Sequence, residues 1–474
     1  MRKKTLIIGI ILLTMFLLLQ FNTTGWITRS ISNSQDNKET LICNSNGKCW
    51  EPTGSNIQLA IDDLESGIVW LPAGTFIVSA ERIWLRDNVY LRGKGIGNTI
   101  IKKADGTAGY PLYAESIENF TISDLTVDGN WRSGCRGNGI VIREGCKNFI
   151  IRNIHVKGAN SSALRIANSR NGFVSNYMSS DTNVYHGLDI ETVQDSVFSD
   201  CLIIGNENPV DYFAVDVSAA ENCTFNNIIV KNARYGMKVE HNEQGDKTLN
   251  CNFNNMVFIN MGEEEAIKLQ YQDTCNYNNF FISGGKVAVG IRSQSSNLNL
   301  NNFHIQNPDT IGLLVEGPDA KKINIANTAI TNSGTYGISI NSAEDVTISN
   351  TIVKNAGSEN RVQGSSKISI SDSQFKNGNY FGWIIANSQD VTIKNCKLTD
   401  NNVDGLLVDG SSGEVTDFII SDNVITGNSN DGIEISNHAH DNFIITNNIL
   451  VGNAAQAIRD STGAVNKIVG DNLT

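Results

Sequence analysis

The sequence predicts an all-β fold, a single-stranded right-handed parallel β-helix (solenoid) closed at its N-terminal end by a short capping helix. Three observations predict it. The first is a repeat: an Asn or Asp recurs at positions 124, 153, 176, 200, 227, 255, 279, 302, 327, 350, 372, 395, 422 and 447, at steps of 22 to 29 residues. That is the length of a solenoid coil. The second is the texture of each unit. Short runs alternate apolar and polar residues around the Asn/Asp, which suits strands with one buried face. The third is composition. The chain is rich in Asn, Gly, Ser, Thr, Ile and Val and has only 6 prolines in 474 residues, as strands separated by tight turns require. No helical periodicity lies between the strands, and the spacing of leucine-rich repeats is absent.

One such unit cannot bury its inward face alone. Stacked at about 4.8 Å, fourteen coils would form a rod of roughly 65 Å with a continuous core. An Asn column at one turn can hydrogen-bond from coil to coil, because a carboxamide both donates and accepts.

Residues 1–25 read as a signal peptide or an N-terminal membrane anchor. Met1-Arg2-Lys3-Lys4 precedes an apolar run from Leu6 to Leu19, which is the order of a basic n-region and an h-region. The positive flank puts the body outside the cytoplasm, either secreted or at the cell surface. Asn-x-Ser/Thr sites at Asn119, Asn160 and Asn222 fit that location. Residues 26–54 are expected to be a polar linker, and 55–474 the solenoid. Nine cysteines are present. Either Cys43 with Cys49 or Cys135 with Cys146 could be bridged in an oxidising compartment. Cys201, Cys223, Cys251 and Cys275 are expected as buried thiols stacked between coils. The formal net charge of -12 argues against nucleic acid as a partner and would repel a polyanion unless one local patch is basic.

Asn56 to Leu64 place Ile57, Ala60, Ile61 and Leu64 on one helical face. A helix there can cover the open strand edge of a solenoid. It is followed by Gly67-Ile68-Val69-Trp70-Leu71-Pro72-Ala73-Gly74-Thr75-Phe76 and by Val89-Tyr90-Leu91-Arg92-Gly93-Lys94-Gly95. This segment resembles the N-terminal cap and first coils of the pectate-lyase-like superfamily of carbohydrate-active β-helices. The string Leu125-Thr126-Val127-Asp128-Gly129-Asn130 and the recurrent Gly-led third strands are similar to mannuronan C5-epimerases and related polysaccharide lyases. The epimerase motif Tyr-Gly-x-Asp-Pro-His is replaced by Ser162-Ala163-Leu164-Arg165-Ile166-Ala167. The next coil's Tyr185-His186-Gly187-Leu188-Asp189 has similar residue types in another order. The Asn-Thr-Asp motif of galacturonan hydrolases is absent too. The resemblance therefore implies carbohydrate, not one reaction.

A site on a solenoid should occupy one coil position over several coils. Aligned third strands place Arg165, Asp189, Glu191, Asp216, Lys238 and Lys268 outward in the central coils, where later coils offer Leu314, Ser339, Ile384 and Leu407. Tyr185, His186, Tyr212 and Tyr235 cluster at the starts of the same strands. Rings that stack on sugar faces beside acids and bases are what a saccharide cleft needs. Adjacent coils would bring the backbones of Asp189 and Asp216 to about 5 Å, close enough to split two carboxyls into an acid and a base. The expected catalytic set is Asp189, His186, Asp216, Tyr212 and Lys238. His186 or Tyr212 would act as base or acid, and Asp189 and Asp216 would assist or hold Ca²⁺, although no metal is identified. Arg165, Tyr185, Tyr235, Glu191 and Lys268 would bind substrate, with Lys238 and Arg165 holding a sugar carboxylate so that its C5 proton is easier to remove. His155 and His304 read as surface residues, and Glu263-Glu264-Glu265 as a solvated loop. The expected function is an extracellular monomer acting on a polysaccharide, preferably an acidic one, by lyase, epimerase or hydrolase chemistry. The alternative is a non-catalytic glycan-binding or structural surface protein, whose outward charges would pair with each other over an unindented face.

Overall fold

The computed structural model describes residues 39–474, except 80–81, 136, 183–184, 206–212, 263, 437–439 and 465. Contacts divide the chain into Met1–Glu39 and Thr40–Thr474. The signal or anchor expected over 1–25 lies outside the described residues. Among the described residues no helix is long and apolar enough to cross a membrane.

Thr40–Thr474 is the expected parallel solenoid. One face is a 16-stranded sheet that starts at Ile83–Trp84 and ends at Ile458–Asp460, and the other strands join a 28-stranded sheet. The strands pair in parallel, coil on coil, apart from the antiparallel pairings of Ile42–Asn44. Within each strand the apolar residues point inward: Leu188 and Ile190 are fully buried, whereas Asp189 and Glu191 between and beyond them are not.

The recurrent Asn/Asp position has a conformational cause. All fourteen of these residues have φ between 47° and 61°. That left-handed corner costs most L-residues about 1–2 kcal/mol, and Asn and Asp tolerate it best. Their side chains then form the expected ladder. Asn153 donates to Asp124 at 2.8 Å, Asn176 to Asn153 at 2.7 Å, Asn255 to Asn227 at 3.1 Å and Asn302 to Asn279 at 2.8 Å. Inside, aromatic rings stack in the same coil-to-coil manner. Phe198, Phe225, Phe253 and Tyr277 succeed one another at 4.7–4.8 Å with nearly parallel planes.

The capping helix is Gly54–Asp62, with the Thr53 hydroxyl accepting from the Asn56 amide at 3.3 Å. It buries Ile57, Ala60 and Ile61, and Leu64 follows them into the core. The C-terminal part of the stretch expected as linker is ordered. Cys43 and Cys49 are bridged, and the disulfide closes a hairpin whose Ile42–Asn44 strand pairs with Gly67–Trp70. The short loop and the burial of Ile42 explain the difference, since an apolar residue inside a polar stretch can anchor it. Cys135 and Cys146 are not bridged; both are free and buried, as are Cys201, Cys223, Cys251 and Cys275. Burial pushes the Cys201 thiol up to about 12, which keeps it protonated and unreactive.

Candidate active site

Parallel register turns outward residues into columns. One column of the 16-stranded sheet reads Trp84, Tyr113, Val141, Arg165, Asp189, Asp216, Lys238 and Lys268. Two residues further along the strands, a second column carries Glu191, Ser218 and Glu240. The columns border a cavity of about 350 Å³ lined by Ser161, Ser162, Arg165, Tyr185, His186, Asp189, Glu191, Asp216, Ser218, Glu240, His241, Asn242 and Glu243. The size falls within the range of small-ligand sites.

His186 sits at the corner before the strand Leu188–Gln194 and is buried at the cavity wall. Gly187 makes that corner possible, because a Cβ there would lie 2.4 Å from Ile203 Cγ2 and 2.5 Å from Ser179 Oγ. The buried Tyr177 hydroxyl donates to the Gly187 carbonyl at 2.7 Å and braces the corner from inside. His186 Nδ1 lies 2.5 Å from the Phe213 carbonyl, which can only accept, so Nδ1 carries the proton. Nε2 then faces Asp216 Oδ2 at 3.4 Å. A ring oriented by one nitrogen, with the other beside a carboxylate, is built to take and return a proton.

Asp216 is the hub. Its Oδ2 also lies 3.1 Å from the Lys238 ammonium, and its Oδ1 accepts from Ser218 Oγ at 3.1 Å. Lys238 makes a second, shorter pair with Glu240. Burial works against the ammonium, but the carboxylates of Asp216 and Glu240 outweigh it and the pKa of Lys238 rises. Lys238 is therefore a fixed cation rather than a base. Asp189 is held separately: Ser162 Oγ donates to it at 2.7 Å, and Arg165 Nε lies 3.9 Å away. Arg165 reaches past it to Glu191 at 2.6 Å.

The sequence expectation for these two carboxyls is an acid and a base, or ligands of Ca²⁺. Asp189 and Asp216 are neighbours, yet each faces its own cation, so neither depends on the other for compensation. Lys238 and Arg165 are likewise engaged by protein carboxylates. The local patch is not basic either, with five lining carboxylates against Arg165 and the adjacent Lys238. Both observations distinguish the site from a simple anion trap.

Tyr185 borders the cavity and is 41% exposed, with its ring 6.1 Å from that of His186. Tyr235 packs instead on Phe213 at 4.8 Å, and Lys268 continues the column one coil beyond Lys238; neither lines the cavity. Tyr212 lies outside the described residues. The sequence reading missed Ser162 as a partner of Asp189, and it missed the Asn242 turn. Asn242 is buried, accepts from the Gln244 and Asp246 amides, and donates to Thr192 Oγ1 at 3.1 Å, which fixes the wall carrying His241 and Glu243. An Asn three residues before a Gly, at the end of a strand, is the signal that could have indicated a turn. Two surface readings also change. Glu265 is not a solvated loop residue but pairs with Arg292, and His155 and His304 are half-buried with lowered pKa values because burial disfavours their charge.

The comparisons with known proteins divide the chain in two. A family model described as rhamnogalacturonase A/epimerase, pectate lyase-like matches residues 53–257, and one described as right handed beta helix region matches 311–473. The chain is a pectate-lyase-like right-handed parallel β-helix. This β-helix is 43% identical over 89 residues to mannuronan C5-epimerase AlgE6 of Azotobacter vinelandii, covering 16% of the chain and 10% of the epimerase. It is 38% identical over 89 residues to alginate lyase 7 of the same organism, again 10% of that protein. The matched segment thus spans about a tenth of either curated relative. The solved A-module of that epimerase shows 18% identity over 89% of this chain and 94% of the module, with a TM-score of 0.29. For a Thermotoga maritima exopolygalacturonase the identity is 14% over 68% of this chain and 89% of that one, with a TM-score of 0.44.

Proposed function

We propose that the cavity is the active site of an exported enzyme that acts on a polysaccharide by proton transfer at a sugar ring. One observation carries the reading: His186 is fixed by the Phe213 carbonyl with Nε2 beside Asp216, at the wall of an indented face. A purely structural rod has no use for a buried imidazole beside an ion-paired carboxylate in a pocket. In this reading His186 moves the proton, while Asp216 and Lys238 set the field in which its charge appears and disappears. Tyr185 supplies a stacking surface.

The substrate favoured is a uronic-acid polymer, because the relatives that share the 89-residue segment are named for mannuronan and alginate. A uronate would have to draw Arg165 or Lys238 partly away from Glu191 or Glu240, and the energy of that exchange would sharpen the choice of substrate. The polymer would follow the column. Trp84, 45% exposed and 4.7 Å edge-on from Tyr113, stands four coils from Asp189, or roughly 19 Å at the coil spacing. The arginines beside it, Arg82 at 4.4 Å and Arg143 at 5.4 Å from the Tyr113 ring centre, suit a sugar that bears a carboxylate.

A second reading is hydrolysis of a glycosidic bond, favoured by the excess of carboxylates lining the cavity. A panel of acidic and neutral polysaccharides separates the readings. Unsaturated products identify elimination, altered C5 configuration by NMR identifies epimerisation, and new reducing ends without unsaturation identify hydrolysis. If no polymer in the panel is changed and none binds, the enzyme reading is wrong.

A further inference from the structure

Nine coils beyond Asp216 the same column carries Glu434, followed by Arg459. Asp404 and Asp431 occupy equivalent corners of two successive coils there, three residues before Leu407 and Glu434, and both are fully buried. Their Oδ1 atoms serve the fold. Asp404 Oδ1 accepts from the Asp431 amide at 2.7 Å and from Asn430 Nδ2 at 2.8 Å, and Asp431 Oδ1 accepts from the Gln456 amide at 2.7 Å.

The Oδ2 atoms have no such use. Asp404 Oδ2 is buried and has no hydrogen-bond donor among the described residues. Asp431 Oδ2 lies 2.9 Å from Arg459 Nε, and the same guanidinium stands 3.6 Å from Glu434. Only Asp431 and Glu434 reach that guanidinium, so with all three acids ionised the corner lacks two positive charges, and two of the acids see no water. Buried carboxylates left uncompensated are costly, and paired or metal-bound ones are the rule. One oxygen from each of Asp404, Asp431 and Glu434 lies within 4.8 Å of the others. Oxygens this close can converge on one Ca²⁺, whose ligands lie at about 2.3–2.6 Å in a flexible geometry, whereas Mg²⁺ demands a near-ideal octahedron and keeps several of its waters, which suits a buried corner less well. An all-oxygen, carboxylate-rich donor set also selects a hard cation over zinc or copper.

We propose that Asp404, Asp431 and Glu434 form a Ca²⁺ site that staples two successive C-terminal coils, independent of the His186 cavity. The charge deficit is then met in full, and the buried Asp404 Oδ2 gains the partner it lacks. The test uses the full chain, freed of metal with EDTA and titrated with CaCl₂ by calorimetry, with thermal unfolding followed in parallel. Glu434→Gln, at a partly exposed position, and the isosteric Asp404→Asn should each bind one Ca²⁺ fewer than the parent and lose most of the Ca²⁺-dependent rise in Tm. MgCl₂ should compete weakly. If the parent binds no Ca²⁺, if both folded variants keep its stoichiometry and Tm shift, or if Mg²⁺ binds as tightly, the proposal is overturned. Should Asp404→Asn fail to fold, Glu434→Gln decides alone.

Discussion

The coils from Arg165 to Arg292 and those from Ile311 to Asp460 share one backbone repeat and differ in what they hang on it. In the first region the outward column is ionic, and its members converge on a cavity: Arg165, Asp189, Asp216 and Lys238 follow one another on adjacent strands. In the second the same positions hold Leu314, Ser339, Arg361, Ile384 and Leu407, of which Leu314 and Ser339 are buried, and charge returns to the column only at its end with Glu434 and Arg459. Several polar residues of the later coils turn inward to the corners instead. There Asn423 and Asn448, fully or almost fully buried, form an internal amide ladder with Asn472. The family models divide the chain along similar lines, a carbohydrate-enzyme family over 53–257 and a generic β-helix over 311–473. A solenoid thus lets chemistry and scaffolding occupy different stretches of one fold, because each coil needs only its neighbours.

The sharpest way to break that comparison is to make matched changes in the two columns. His186→Ala and Asp216→Asn should each lower turnover of a responsive polysaccharide by about 10²- to 10⁴-fold, the usual worth of a positioned acid or base. Leu407→Ala, at the corresponding position of a later coil, should leave turnover unchanged. Equal losses from both would mean that the face acts through stability and not through a site. The scaffold side has its own test. Asn423 accepts from the Cys396 amide at 2.8 Å and donates to the Ile393 carbonyl at 2.9 Å. Asn423→Ala leaves both groups buried without a partner and should cost about 1–3 kcal/mol of stability, read as a lower urea midpoint, with turnover per folded molecule unaltered.

A smaller effect is expected along the track. Trp84→Ala should raise KM several-fold with kcat nearly constant, because stacking four coils from His186 contributes to binding and not to the chemical step. A fall in kcat with KM unchanged would remove Trp84 from the substrate path.

Much of this was legible in the sequence, for a physical reason. A coil is one period of a strict repeat, so aligning third strands aligns space, and Arg165, Asp189, Asp216 and Lys238 could be placed in one column by counting. The left-handed corner was visible too, since few residues other than Asn and Asp tolerate it. What the repeat does not encode is how outward side chains settle among themselves. Arg165 could have met a substrate carboxylate or Glu191, and Asp189 could have faced Asp216 or Ser162; rotamers and neighbours decide such choices, not periodicity. Insertions were equally opaque. The turn at Asn242 walls the cavity because it departs from the repeat, and of the hairpin that lies before the repeat only the Cys43–Cys49 bridge could be anticipated, as one of two candidate pairs.

The least disruptive prediction concerns pH, where Lys238 as a fixed cation and Lys238 as a base part. The folded pKa of Lys238 is raised above its ordinary 10.5; burial opposes the charge, but Asp216 and then Glu240 more than restore it. A lysine whose folded pKa is raised contributes its ion pair in full below the unfolded value and loses it only as pH climbs through the folded value. Across the neutral range, therefore, Lys238 stays charged and Asp216 keeps its partner. Any alkaline fall in kcat/KM that begins well below pH 10.5 must come from another group, and replacing Lys238 by Met should lower the rate and keep that limb, moved to higher pH because a nearby cation is lost. A limb that disappears in Lys238→Met would show the amine exchanging a proton during turnover. The base would then be Lys238, and His186 would be reduced to holding Asp216 in place.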